Sequence, residues 1–103
     1  MVVFRRLLGD VLRSRRMRRG LTLRELSAAA RVSLGYISEI ERGQKEASSE
    51  LLASLCQAMD LPLSEVLRDV ADAVALEEIS IGIVASSQIT TARPTGDVVA
   101  SAA

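Results

Sequence analysis

Residues 22–43, TLRELSAAARVSLGYISEIERG, have a pattern that predicts two short helices joined by a tight turn, around which the other helices of the chain are arranged. The Thr22 hydroxyl is placed to accept a hydrogen bond from the Glu25 amide, and the Glu25 carboxylate is placed to accept one from the Thr22 amide. This reciprocal arrangement is a capping box. It predicts that the first of the two helices starts at Thr22 and runs to about Ala30.

The second helix of the pair is predicted to span Leu34 to Arg42. Residues 31–33 form the turn before it, and the Ser33 hydroxyl can accept amide hydrogen bonds as its N-cap. Gly43 is predicted to end the helix in a left-handed conformation, which glycine adopts without strain. Both ends of the second helix are therefore marked by capping residues.

The two sides of this second helix differ in chemistry. At about 100° per residue, Ile37 and Ile40 share a side that is predicted to face the core, with Tyr36 at its edge. The other side carries Leu34, Gly35, Ser38, Glu39 and Arg42. A small, mostly uncharged surface at the N-terminal end suits insertion into the major groove of DNA, because bulk there would hold the backbone away from base edges. From these residues alone, plain packing of two capped helices in an all-α fold is an equal alternative.

The longer stretch 20–43, GLTLRELSAAARVSLGYISEIERG, resembles the helix-turn-helix of the phage-repressor-like Xre transcription factors. The resemblance covers about Leu7 to Leu67, with the apolar positions, the GLT start and the ERG end in register. It implies an all-α, five-helix, phage-repressor-like helix-turn-helix domain that binds double-stranded DNA. Over its whole length the chain is similar to Xre-type activators of Clp protease genes, which implies an activator of protease and stress genes.

Charge is divided unevenly along the chain although the formal net charge is zero. Residues 1–45 contain eleven Lys and Arg with four acidic residues, whereas residues 46–103 contain two and nine. This asymmetry predicts a nucleic-acid-binding surface on the N-terminal half and a solvated or partner-facing surface on the C-terminal half.

Composition limits the fold and the function. Apolar residues make up 49% of the 103 residues but aromatic residues only 2%, which predicts one all-α domain with an aliphatic core. Cys56 is the only cysteine, and no signal or membrane segment is visible, so we expect a cytoplasmic, nucleoid-associated protein with no membrane contact. Without histidine or a cluster of ligating side chains, the sequence predicts no enzyme activity, no catalytic residue, no metal site and no cofactor.

An apolar stripe at helical spacing predicts that the first helix of the fold runs from Phe4 to Arg19 and ends at Gly20. Its last turns carry Arg15, Arg16, Arg18 and Arg19. Two roles are open for these arginines, as partners of the negative helix terminus or as contacts to DNA phosphates.

The family resemblance gives Arg16 a separate role. An arginine four residues before the glycine pairs in the family with the glutamate of the ERG-like end, which implies a pair between Arg16 and Glu41. A partly buried, bidentate pair would pin the first helix to the DNA-facing helix. Both residues are therefore expected to be structural rather than DNA ligands.

The chain departs from the family pattern at Leu23, Ser27 and Arg31, where glutamine, alanine and glycine are usual. Leucine at position 23 cannot make the hydrogen bond to a base or phosphate that the usual glutamine makes in the family. If the family backbone is kept, Arg31 must tolerate an unfavourable turn geometry at a cost of about 1 kcal/mol. A contact from the Arg31 side chain to a phosphate would make the substitution useful to binding.

Ser48 or Ser49 is predicted to cap a fourth helix that runs to Met59 and buries Cys56 as an inert thiol. After Pro62 a last helix is predicted to about Leu76. Its apolar residues extend beyond what the family domain needs, so we expect this helix to pair with its two-fold mate. The predicted dimer interface comprises Leu63, Val66, Leu67, Val70 and Val74. The alternative is that the helix folds back on its own core.

Residues 4–76 are thus predicted to form the helix-turn-helix domain with its dimerisation helix, and residues 77–103 a flexible tail. The segment 77–86, EEISIGIVAS, has strand-like character, and residues 90–103 are small, polar and interrupted by Pro94 and Gly96. The C-terminal Ala102 and Ala103 are similar to signals read by Clp-type proteases, which suggests a degradation signal. An inert frayed end is the alternative.

The complete prediction is a dimeric, sequence-specific transcription regulator that binds a palindromic operator, with RNA polymerase and a Clp-type protease as further partners. The residues predicted to face the groove are Ser33, Leu34, Gly35, Tyr36 and Ser38, and those predicted to contact phosphates are Thr22, Arg24, Arg31, Arg42 and Lys45. One alternative is a repressor or antitoxin-like module that holds a protein partner through its acidic half. Another is a protein-interaction module that does not bind DNA.

Overall fold

Five α-helices make up residues 2–85, the part of the chain that the computed structural model describes. The helices are α1 (Phe4–Arg18), α2 (Leu23–Ala30), α3 (Leu34–Glu41), α4 (Ser49–Ala58) and α5 (Leu63–Ala85). No strand occurs among these residues, and the predicted all-α, five-helix fold is confirmed. None of the described helices has both the length and the apolar character that crossing a bilayer requires.

Side-chain caps start the middle helices where the sequence predicts them. The Thr22 hydroxyl accepts from the Glu25 amide at 3.0 Å, and a Glu25 carboxylate oxygen accepts from the Thr22 amide at 2.9 Å, so the capping box is present. The Ser33 hydroxyl caps α3 by accepting from the Tyr36 amide at 3.1 Å, without a reciprocal bond. Of the two candidates for α4, Ser48 is the cap.

The turn between α2 and α3 is left-handed at a residue other than glycine. Arg31 has φ 59° and ψ 45°, a region that costs an L-residue about 1–2 kcal/mol. The Ser27 hydroxyl donates to the Val32 carbonyl at 2.5 Å, and the Val32 amide donates back to the Ser27 carbonyl at 3.2 Å. These two bonds bridge the turn and hold it in this conformation.

The core draws aliphatic side chains from every helix. α1 packs against α3 and α5, and α2 packs against α3 and α4. The buried cluster comprises Leu8, Val11, Leu12, Leu26, Ile37, Ile40, Leu55, Cys56, Met59, Leu61, Val66 and Val70. Because the inner side of α3 is used in this core, its other side is left at the surface.

The last helix is longer than the sequence predicts. α5 continues to Ala85, so the predicted end near Leu76 and the strand-like character of residues 77–85 are wrong. A helix that is already nucleated extends at little cost, and β-branched residues disfavour it only weakly. The division into a domain and a tail stays a prediction, and Ala102 and Ala103 lie outside the described residues.

Two of the five residues predicted for the dimer interface belong to the core of the single chain. Val66 is 0% and Val70 3% exposed, so the prediction is wrong for both. The first turns of α5 pack on α1 and α4, which no helical wheel of α5 alone reveals. Val74 packs partly against the same core, whereas Leu63 and Leu67 are exposed.

Candidate nucleic-acid interface

The N-terminal half of α3 lies at the surface. Leu34 is 37% exposed, and no atom lies within 4 Å of the position that a Cβ on Gly35 would occupy. On the inner side, Ile37 and Ile40 are each 1% exposed. This arrangement gives α3 an open, narrow surface of the kind that fits a major groove.

An ion pair fixes α3 to α1. Arg16 Nε donates to Glu41 Oε2 at 2.7 Å, and Arg16 Nη2 donates to Glu41 Oε1 at 3.0 Å. The third guanidinium nitrogen, Nη1, donates to the Leu21 carbonyl at 2.8 Å. The hydrogen bond to Glu41 raises the pKa of Arg16 above its ordinary value. The bidentate pair expected from the family is therefore present, and its side chains are mostly buried.

The backbones of α1 and α3 also come very close. A Cβ on Gly9 would lie 2.3 Å from the Ile40 carbonyl oxygen, closer than any side chain allows. At the end of α3, a Cβ on Gly43 would lie 2.9 Å from the Arg6 Cα. Arg5 Nε donates to the Gly43 carbonyl at 3.1 Å. The C-terminal end of α3 is thus held by α1, while the N-terminal end projects freely.

Tyr36 does not belong to the free side of α3. Its side chain packs partly against the core, and its hydroxyl donates to the Glu46 carbonyl at 3.2 Å. Its contact with a DNA groove stays a prediction, and it would require the Tyr36 hydroxyl to leave the Glu46 carbonyl. The aromatic ring fits better as a support for the connector between α3 and α4.

The polar groups at the end of α3 are already engaged with one another. Arg42 Nη1 donates to the Ser38 hydroxyl, and Arg42 Nη2 donates to Gln44 Oε1 at 3.3 Å. Both Ser38 and Arg42 line a surface cleft between α1, α2 and α3. They are therefore brought together beside the free side of α3.

The remaining residues predicted to contact phosphates are dispersed. Thr22 is exposed, but its side chain serves the capping box. Arg24 and Lys45 are exposed and form no ion pair within the described residues. Arg31 lines a different cleft, with Gln57 of α4. The structure therefore does not gather Arg31 and Arg42 into one basic cluster.

Arg13 was missed by the sequence analysis. Its side chain is exposed and lines the same cleft as Leu23, Ser38 and Arg42. A wheel of α1 would have found it, because Arg13 lies three residues before Arg16 and shares its side of the helix. It adds positive charge where Leu23 cannot bond a phosphate.

Besides Arg16, two more of the arginines at the end of α1 are engaged within the protein. Arg15 Nε donates to Asp69 Oδ2 at 2.7 Å, and Arg15 Nη1 donates to Glu65 Oε1 at 3.1 Å. The Arg15 guanidinium lowers the pKa of Asp69 below its ordinary value through this hydrogen bond. Arg19 Nη2 donates to the Asp60 carbonyl at 2.9 Å. These bonds tie α1 to α5 and to the turn before it.

In the described part of the chain, no cluster of three His, Cys, Asp or Glu side chains is arranged to hold a metal ion. The surface around α3 instead consists of a narrow, exposed helix end with the Arg13 and Arg42 side chains beside it. Such a surface can bind a polyanion and contact base edges.

Residues 7–73 match the family of helix-turn-helix domains. Over 74 residues the chain is 61% identical to the transcriptional regulator ClgR of Mycobacterium tuberculosis; the match covers 72% of this chain and 66% of that protein, slightly less than two thirds. The crystal structure of the clp gene regulator ClgR from Corynebacterium glutamicum is similar with a TM-score of 0.74 and 48% identity, covering 82% of this chain and 89% of that one. The restriction-modification controller protein C.AhdI from Aeromonas hydrophila is 27% identical with a TM-score of 0.59, over 60% of this chain and 94% of that one.

Proposed function

The chain belongs to the helix-turn-helix family of transcriptional regulators, and we propose that it regulates clp genes by binding a palindromic operator as a dimer. The observation that carries the proposal is the exposed N-terminal half of α3. The Arg16–Glu41 pair fixes the C-terminal end of the same helix to α1. The similarity to ClgR, described as a clp gene regulator, supports the choice of target genes.

In the proposed complex the N-terminal half of α3 enters the major groove. Leu34 contacts a thymine methyl group, and the bare backbone at Gly35 allows close approach to the bases. Arg42 turns from Ser38 to a phosphate, which frees the Ser38 hydroxyl for DNA. The phosphate contacts come from Thr22, Arg24, Arg31, Arg42 and Lys45, joined by Arg13.

Exposed apolar residues of α5 support dimerisation. Leu76 is 68%, Ile79 57% and Ile81 46% exposed, and Leu63 and Leu67 are exposed nearer the start of the helix. A second copy of α5 would remove this apolar surface from water. A two-fold dimer would also present two α3 helices about 34 Å apart, the length of one DNA turn.

The direction of regulation is the finer part of the proposal. Activation, with RNA polymerase as a partner, is supported by the similarity to regulators of clp genes and not by any contact within residues 2–85. We also propose degradation by a Clp-type protease through Ala102 and Ala103, because this small apolar C-terminus is similar to signals that such proteases read, and a location in the cytoplasm on the nucleoid, as expected of a DNA-binding regulator. A repressor role is the alternative that operator mapping relative to the promoter distinguishes.

The test is selection of duplexes from a random pool by the purified full chain at about 150 mM salt, where non-specific binding is weakened. We expect enrichment of a palindrome with half-sites one turn apart, found upstream of clp genes. Enrichment of a single half-site would contradict the dimer. No enrichment at all would contradict sequence-specific binding.

A charge-matched pair of variants sharpens this test. Ser38→Glu would set a carboxylate against the DNA backbone, so we expect it to abolish operator binding. Ser49→Glu adds the same charge in the first turn of α4, where a helix tolerates an acid, and is expected to bind as wild type. Retained operator affinity in Ser38→Glu would contradict the placement of α3 in the groove.

A further inference from the structure

Few side chains on the outward side of α3 can distinguish one base from another by hydrogen bonds. Leu34 and Gly35 carry no polar side-chain group. Once Arg42 turns to a phosphate, the Ser38 hydroxyl can donate or accept, so it can bond to either kind of base edge and does not discriminate between bases. The Tyr36 hydroxyl already donates to the backbone of the connector. Discrimination between bases by hydrogen bonds therefore needs another residue.

Glu39 is the polar residue of this side that has no bound partner. Its side chain is half-buried, and among residues 2–85 its carboxylate forms no hydrogen bond and no ion pair. Helical side chains lean toward the N-terminus and cover the preceding turn, so Glu39 extends over Gly35. The space above Gly35 is empty to 4 Å, which leaves room for a base edge beside the carboxylate.

A carboxylate at this position selects its partner by charge and by hydrogen-bond polarity. It is repelled by phosphates and by the N7 and O6 acceptors of guanine, and it can only accept. In the major groove the N4 amino group of cytosine is the donor that a glutamate pairs with. Adenine also offers an amino donor, N6, but the N7 acceptor beside it repels a carboxylate. Cytosine is therefore the base that best offsets the loss of hydration of the Glu39 carboxylate on docking.

On the basis of the proposed operator binding, we propose that Glu39 determines specificity by accepting a hydrogen bond from the N4 amino group of a cytosine in each half-site. The bare backbone at Gly35 gives that base access to the carboxylate. The negative charge also weakens binding to DNA that lacks this cytosine, so Glu39 improves discrimination at the expense of affinity for non-specific DNA.

The test compares duplex selection by the wild-type chain with selection by Glu39→Gln. The wild type is expected to enrich cytosine at one position of each half-site, and replacing this base is expected to lower affinity about tenfold. Glu39→Gln is expected to shift the preference at that position to adenine, which glutamine bonds through N6 and N7, and to bind non-specific DNA more tightly. Glu46→Gln, which removes the same charge from the exposed connector, is the control and keeps the cytosine.

A second variant tests the role of the empty space. Gly35→Ala meets no atom within 4 Å, so the fold tolerates it, but its methyl group occupies the space in front of Glu39 and is expected to weaken the cytosine preference. An identical base preference in wild type, Glu39→Gln and Gly35→Ala would overturn the inference while leaving the proposed function intact. Failure of the wild type to enrich any sequence would overturn both.

Discussion

Arg16 illustrates how much of this architecture depends on single residues. All three of its guanidinium nitrogens donate hydrogen bonds, two to Glu41 and one to the Leu21 carbonyl. Glu41 is 7% exposed, so its charge has no access to water that would replace this partner. The pair is therefore costly to break from one side only.

We expect Arg16→Ala to lower the free energy of unfolding by about 3–5 kcal/mol, because it leaves the buried Glu41 carboxylate without a partner. Urea denaturation at neutral pH measures this change. The double variant Arg16→Met with Glu41→Leu is expected to recover most of the loss, since no buried charge remains. A loss below about 1 kcal/mol in the single variant would mean that the pair is solvated.

Arg31 provides a second test at the level of one residue. Arg31→Gly removes the left-handed strain and is expected to raise the free energy of unfolding by up to about 1 kcal/mol, after the entropy that glycine adds to the unfolded chain. Arg31→Ala keeps the strain and deletes only the side chain, so its stability is expected to stay near wild type. If Arg31 contacts a phosphate, both variants lose DNA affinity and show a smaller salt dependence. Unchanged salt dependence in both would exclude that contact.

Among the elements, α1 contacts both α3 and α5. Arg15 joins it to Asp69 and Glu65, and Arg6 donates to a Glu77 oxygen at 3.0 Å. These ion pairs connect the part of α5 between residues 65 and 77 to α1. Lowering the pH protonates these carboxylates, so the contacts between α1 and α5 are expected to weaken before the aliphatic core is affected.

The pKa of Asp69 is lower in the folded protein than in the unfolded chain, mainly because of the hydrogen bond from Arg15. Its contribution to stability is present above the unfolded pKa and is lost as pH falls through the folded pKa. We expect the free energy of unfolding to fall less steeply in Asp69→Asn than in wild type between pH values of about 5 and 2. Asp72→Asn, on the exposed part of the same helix, is the control; an equal slope in all three proteins would contradict the role of Asp69.

Local chemistry was enough to predict where most helices begin and end. The hydroxyl caps Thr22 and Ser33 and the glycine at 43 act on neighbouring atoms, so they can be recognised without knowledge of the tertiary fold. The C-terminal part of α5 escaped prediction because Ile79 and Ile81 alternate with small residues as a strand does. The burial of α5 on α1 involves residues far apart in sequence.

The candidate interface was predicted less completely than the fold. The outward position of Leu34 and Gly35 follows from helical periodicity. The engagement of the Tyr36 hydroxyl by the connector does not, because it depends on the path of residues 44–47. Arg31 and Arg42 line different clefts because α2 packs between α3 and α4. This separation also depends on the tertiary fold and could not be read from helical periodicity.

At the scale of the whole molecule, charge and apolar surface are segregated. The basic residues lie mainly in α1 to α3, whereas five of the eight exposed large apolar residues of the described part of the chain lie in α5. Bound DNA and a second copy of the chain can therefore occupy different surfaces.

We expect the double variant Leu76→Asp, Ile79→Asp to be monomeric, because four carboxylates would face each other across the proposed dimer. Sedimentation equilibrium measures the mass, and operator affinity is expected to fall because half-sites are then bound independently. Ser49→Asp with Ala53→Asp adds the same charges at exposed positions of α4, away from the proposed interface, and tests whether charge alone is responsible. A dimer that persists in the first variant would exclude this end of α5 as the interface.

α1 connects α3, which is proposed to bind DNA, to α5, which is proposed to form the dimer. Arg15 and Arg16 are neighbours on α1, yet Arg15 pairs with α5 and Arg16 pairs with α3. α1 therefore fixes the orientation of α3 relative to α5. In a dimer formed through α5, it would also fix the angle between the α3 helices of the two subunits. One additional base pair between half-sites rotates one of them by about 34–36°. Because α1 contains no flexible loop to absorb this rotation, the DNA must change its twist instead. Operator occupancy is therefore expected to respond to the superhelical density of the chromosome.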